Sequence, residues 1–119
     1  MLSPAIKDEI QTAYKRIVAE KQLRPRYGQR QMIAEIARSL SAIEGEASSQ
    51  AGDDESVGPV CVIEAGTGTG KTLAYILGTL PLARQLGKKV VLATATVALQ
   101  EQVTQRDLPD ICKYSGLSF

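Results

Sequence analysis

The run Ala65-Gly66-Thr67-Gly68-Thr69-Gly70-Lys71-Thr72 restricts this chain more than any other stretch. An apolar, largely β-branched segment, Val60-Cys61-Val62-Ile63-Glu64, leads into it. That segment reads as a buried strand. Residues of good helix propensity follow, so a helix is expected from about Gly70 to Leu86. A strand, a glycine-rich turn and a helix in that order form the setting of a phosphate loop. The strict pattern opens on glycine, whereas this run opens on Ala65. Gly66, Gly68 and Gly70 still let the backbone curl and approach a ligand closely. Backbone N–H groups from about Thr67 to Thr72 are expected to line one concavity, with the positive end of the helix behind them. Lys71 would place a full charge near the β- and γ-phosphates of a nucleoside triphosphate, and the Thr72 hydroxyl is the candidate ligand for its Mg²⁺. Ala65, Gly66, Thr67, Gly68, Thr69, Gly70, Lys71 and Thr72 are thus the candidate cofactor-binding residues, with Lys71 and Thr72 also the catalytic candidates. The loop alone does not choose between helicase, kinase, transporter ATPase and GTPase.

The remaining elements follow from periodicity and turn chemistry. Ser3-Pro4 reads as a helix cap and first helical residue. Ile6, Ile10, Ala13, Tyr14 and Ile17 then form one apolar stripe at helical spacing. Arg24-Pro25-Arg26-Tyr27-Gly28 breaks the pattern. A second helix is expected from Gln29 to about Ser41, with Met32, Ile33, Ile36, Ala37 and Leu40 on its core face. Residues 44–58 are polar and acidic and read as a flexible surface loop. Pro81 is expected to bend or shorten the phosphate-loop helix, and Gly87 to stop it. Lys89-Val90-Val91-Leu92-Ala93-Thr94 reads as a second buried strand. A helix follows from about Thr96 to Arg106, ended by Asp107-Leu108-Pro109-Asp110. Strand–loop–helix–strand–helix is a βαβ unit. The expected fold class is therefore α/β: a partial phosphate-loop NTPase domain of RecA-like type over 59–119, with parallel strands flanked by helices. Helices over 1–43 and the loop 44–58 precede it.

A chain of 119 residues allows one small domain, and 44% apolar residues suffice for a core. Net charge is +1, but it is unevenly spread. Residues 1–38 carry eight Lys/Arg against four Asp/Glu, and residues 39–64 carry six acids and no base. The basic first third is equally compatible with phosphate attraction and with a solvated helix face. Cys61 and Cys112 are far apart, and the chain has no histidine, so no metal spacing exists. Cys61 reads as a buried small hydrophobe. Reduced cysteines, the lack of a signal peptide and the lack of a long apolar stretch point to a cytoplasmic chain with no membrane span.

Three segments together resemble one family. Arg26-Tyr27-Gly28-Gln29-Arg30-Gln31-Met32 resembles the adenine-sensing Q motif of superfamily 2 helicases. Glu64 to Thr72 is similar to motif I of the DinG- and XPD-type branch, where an alanine start is usual. Ala93-Thr94-Ala95-Thr96-Val97-Ala98-Leu99-Gln100-Glu101-Gln102 resembles motif Ia. The resemblance covers about Leu23 to Phe119. It implies an ATP-dependent DNA helicase that couples ATP hydrolysis to unwinding or translocation, with a role in DNA repair or replication. It adds Gln29 and Arg26 to the nucleotide-binding candidates, since a glutamine amide matches the adenine N6 and N7 edge. It makes Thr94 and Thr96 candidates for contact with single-stranded DNA; from the residues alone they are as well explained as strand-end and helix-cap groups. The family also carries an Asp-Glu-x-His element and four cysteines for a 4Fe-4S cluster, and this sequence has neither. The resemblance thus implies an N-terminal fragment of the first motor domain, able to hold ATP and Mg²⁺ but inactive alone. The cluster would belong to the full-length parent only. The rival readings are a phosphate-loop module of another class: a kinase, or a non-catalytic regulatory domain.

Overall fold

The computed structural model describes residues 2–43, 58–66 and 68–117. The first helix, α1, spans Pro4–Glu20. The Ser3 hydroxyl accepts the Ile6 N–H at 3.3 Å, and Pro4 stands where its missing N–H costs nothing. The stripe Ile6, Ile10, Ala13, Tyr14 and Ile17 is buried throughout, as its spacing requires. The helix closes on Gln22 at φ 52°, with Leu23 N–H reaching the Val18 carbonyl at 2.9 Å. This is the double-bonded left-handed stop usually made by glycine, and no glycine announced it.

Helix α2 spans Tyr27–Ser41 and begins after extended Arg26. Helix α3 spans Lys71–Gln85 and begins after Gly70. It runs through Pro81 without ending there. Gly87, at φ 61°, stops it as expected: Gly87 N–H reaches Arg84 O and Lys88 N–H reaches Ala83 O. Met32, Ile33 and Ala37 of α2 pack with Ala74, Ile76, Leu77 and Leu82 of α3 and with the α1 stripe to form the core. Ile36 and Leu40 are partly buried at its edge.

The third helical stretch differs from expectation. Helix α4, Val97–Gln102, passes into a π-helical segment, Val103–Asp107, and then into α5, Leu108–Ser115. Asp107-Leu108-Pro109-Asp110 therefore does not end the helix. Pro109 lacks an N–H and would press on the carbonyl four residues back. The wider π turn precedes it, with Leu108 N–H bonded to Val103 O. Ile111 and Leu117 then reach the core, and Lys21 of the α1 end pairs with Asp110 at 3.1 Å.

The α/β expectation is overturned. Among the described residues there are only helices and connecting segments, with no strand and no sheet. Val60–Glu64 and Lys89–Thr94, the two expected parallel strands, lie without ladder partners. Val62 is 90% exposed and Val91 is 91% exposed. Cys61, expected in the core, is exposed as well. The physical reason is that β-branched runs favour extended backbone but cannot satisfy it alone. A strand needs a neighbour for its N–H and C=O groups, and neither run has one among the described residues. The core is instead built by helical faces. The loop expected over 44–58 falls outside the described residues except at Gly58. No helix among the described residues is long and apolar enough to cross a membrane.

The α2–α3 crossing depends on Gly78. A Cβ there would stand 2.9 Å from Ile36 Cβ and 3.3 Å from the Ile33 carbonyl. We expect Gly78→Ala to lower stability by about 1 kcal/mol, because overpacking of about 1–3 kcal/mol exceeds the helix-propensity gain of about 1. Urea denaturation followed by circular dichroism checks this; a raised midpoint would contradict the close approach.

Candidate phosphate-loop site

Helix α3 sets the site. Its N-terminal N–H groups have no carbonyl partner one turn back, and no side chain caps them. The first intrahelical bond runs from Ala74 N–H to Gly70 O at 3.2 Å. The amides of Lys71, Thr72 and Leu73 thus stand at the positive end of a 15-residue helix. Gly70 takes φ 81° and Gly68 takes φ 79°, conformations that glycine adopts without a Cβ penalty. Lys71 is exposed and Thr72 half-buried.

The turn before the helix is partly self-satisfied. Thr69 N–H bonds to the Gly66 carbonyl at 3.4 Å, and the Thr69 hydroxyl donates to the same oxygen at 2.7 Å. The Thr69 amide is therefore turned back into the loop, unlike the expected row of amides facing one concavity. Thr67, a candidate of the same row, lies outside the described residues. Ala65 is half-buried, and Gly66 has open space around its Cα.

The structure brings the Arg26–Met32 segment onto this turn. Gln29 is 7% exposed, and its Nε2 donates to the Gly70 carbonyl at 3.1 Å across 41 positions of sequence. A Cβ at Gly70 would collide with that Nε2. The Arg26 guanidinium lies 3.9 Å from where a Cβ of Gly68 would stand, and Gly28 lies against Thr69. Gln29, Arg26, Gly68, Gly70, Lys71 and Thr72 are thus grouped. The cleft beside them, about 250 Å³, is lined by Gln29, Gly70, Lys71 and Thr72 and also by Asp107 and Asp110. It is smaller than the roughly 300–1,000 Å³ of small-molecule sites, which suits a phosphate group rather than a whole nucleotide. Sequence reasoning took Asp107 and Asp110 only as a helix end; the continuous helix carries them to this wall. A larger apolar groove, about 850 Å³, lies elsewhere, between α1 and α2.

Thr94 and Thr96 are not part of this group. The Thr96 hydroxyl caps α4 by accepting Leu99 N–H at 3.2 Å, and the Thr94 hydroxyl donates to Thr96 O at 3.1 Å. Both are engaged locally, as a cap and a turn require. No group of three or more Cys, Asp or Glu able to hold a metal is present among the described residues.

The fold and site define a helix-led, glycine-curled turn suited to an anion, with a glutamine amide fixed against it. No protein-family model matches the chain. Curated relatives do. It is 41% identical over 110 residues to an ATP-dependent DNA helicase DinG of Photobacterium profundum, covering 92% of this chain and 14% of that protein. It is 39% identical to the protein of the same name from Salmonella typhimurium and 38% identical to that of Escherichia coli, each over 109 residues, 91% of this chain and 13% of theirs. The sequence relationship to the DinG-type helicases is thereby shown over about nine-tenths of the chain. The chain spans about one-seventh of the length of those relatives.

Gly70→Ala tests the turn. The left-handed backbone costs about 1–2 kcal/mol with a Cβ, and Gln29 must move aside. We expect a stability loss of that order in thermal unfolding; an unchanged midpoint would contradict the geometry.

Proposed function

We propose that this chain is the nucleotide-binding part of an ATP-dependent DNA helicase of DinG type, in which ATP hydrolysis drives movement on DNA. The observation that carries the reading is the bond from Gln29 Nε2 to the Gly70 carbonyl. It supports the reading because the Gln29 amide, which would contact the base, is bonded to the residue that starts the helix whose amides would hold phosphates. The names of the relatives support the same reading.

In this proposal the free amides at the start of α3 and the Lys71 ammonium hold the β- and γ-phosphates. The Thr72 hydroxyl supplies one oxygen to Mg²⁺, whose bound charge would offset that of the phosphates. The Tyr75 hydroxyl donates to Thr72 Oγ1 at 3.4 Å and leaves that oxygen a lone pair, which supports the role. Arg26 and Gln29 face the base side. Asp107 and Asp110 add negative charge to the same cleft, which Lys71 and the Lys21–Asp110 pair would offset for a polyanion. For DNA, Thr96 is the better of the two threonines. It caps as an acceptor and keeps its own proton to donate to a phosphate, whereas the Thr94 proton is used.

The sequence contains no Asp-Glu-x-His, the element that the resemblance implies for orienting the attacking water. We expect the chain to bind Mg-ATP without hydrolysing it, and Lys71→Ala to weaken binding about tenfold or more. A fluorescent ATP analogue titration and a phosphate-release assay check both. Turnover that disappears with Lys71→Ala would contradict the division of labour.

A further inference from the structure

Tyr14 entered the sequence reading only as one member of a buried apolar stripe. Its hydroxyl has a further position. It donates to Gln29 Oε1 at 3.0 Å and accepts the Arg26 N–H at 3.3 Å. Tyr14 and Gln29 are each 7% exposed, and no buried side-chain polar atom among the described residues is left without a partner. One phenol thus links α1, the extended residue before α2 and, through Gln29, the turn before α3.

The hydrogen-bond arithmetic fixes the amide. The Gly70 carbonyl can only accept, so Nε2 must face it. The Tyr14 oxygen already receives the Arg26 N–H and has one proton to give, so Oε1 faces Tyr14. A flipped amide would set oxygen against oxygen at Gly70. Each end has spent one site. One N–H and one lone pair remain, one of each kind.

We infer that Tyr14 is a positioning residue for base selection, holding the Gln29 amide in the single orientation that accepts adenine and rejects guanine. This rests on the nucleotide reading above. Adenine presents an N6 amino donor and an N7 acceptor, which match the remaining lone pair and N–H. Guanine presents O6 and N7, two acceptors, and O6 meets the Gln29 oxygen unfavourably. Selectivity of this kind exists only while the amide cannot turn. Tyr14 acts through Gln29 and does not itself touch the nucleotide.

The test uses Tyr14→Phe, Gln29→Ala and the double variant, each titrated with Mg-ATP, Mg-GTP and inorganic triphosphate. Triphosphate reports the phosphate loop without a base. We expect the ATP-over-GTP preference to fall about tenfold in Tyr14→Phe. Triphosphate affinity should stay within about twofold, and the double variant should lose no more preference than Gln29→Ala. Four outcomes would overturn the role of Tyr14 alone: unchanged preference, an equal loss of triphosphate affinity, additive losses in the double variant, or a Tyr14→Phe chain without helical circular dichroism. A wild-type chain that binds neither ATP nor triphosphate would overturn the nucleotide reading beneath it.

Discussion

Gly70 must satisfy two demands at one residue: a left-handed backbone that starts α3, and a bare Cα that lets the Gln29 amide reach its carbonyl. The first disfavours a side chain by about 1–2 kcal/mol, and the second would force the Gln29 amide aside. Together they seat the glycine-rich turn on the helical body, because Gln29 is held in turn by Tyr14 of α1. The helix start, the Arg26–Gln29 segment and the core stripe are therefore one hydrogen-bonded unit. Buried amides of this kind are costly to leave unpaired, so the three parts stabilise one another.

Much of the helical framework was legible. Ser3, the stripe Ile6 to Ile17, the face of α2 and the stop at Gly87 each follow from local rules, and the structure has them where those rules put them. The same local rules fail where the outcome depends on a distant partner. Val60–Glu64 and Lys89–Thr94 have strand composition, yet composition cannot supply a neighbouring strand, and both runs lie exposed. The π turn at Val103–Asp107 was equally hidden: Pro109 looked like a terminator, but one extra residue in the preceding turn lets the helix pass.

The site shows the same division. Local pattern made Gly68, Gly70, Lys71 and Thr72 candidates, and resemblance drew attention to Arg26 and Gln29. Their proximity could not be read from spacing, since 41 positions separate Gln29 from Gly70. Tyr14 carried no functional signal at all. A tyrosine on an apolar stripe is satisfied by any buried acceptor, and only the packed helices show that the acceptor is Gln29. Asp107 and Asp110 were missed because the helix carrying them was thought to have ended. The threonines near α4 show the converse: residues that resemble ligands serve first as a cap and a turn.

The most direct measurement is a titration of the isotope-labelled chain with Mg-ATP, followed by NMR through backbone and side-chain amides. We expect saturable shifts centred on the amides of Lys71, Thr72 and Leu73 and on the Gln29 side-chain amide, with little change along the groove between α1 and α2. Saturable shifts confined to that groove, with α3 and Gln29 silent, would contradict the assignment of the nucleotide to the start of α3.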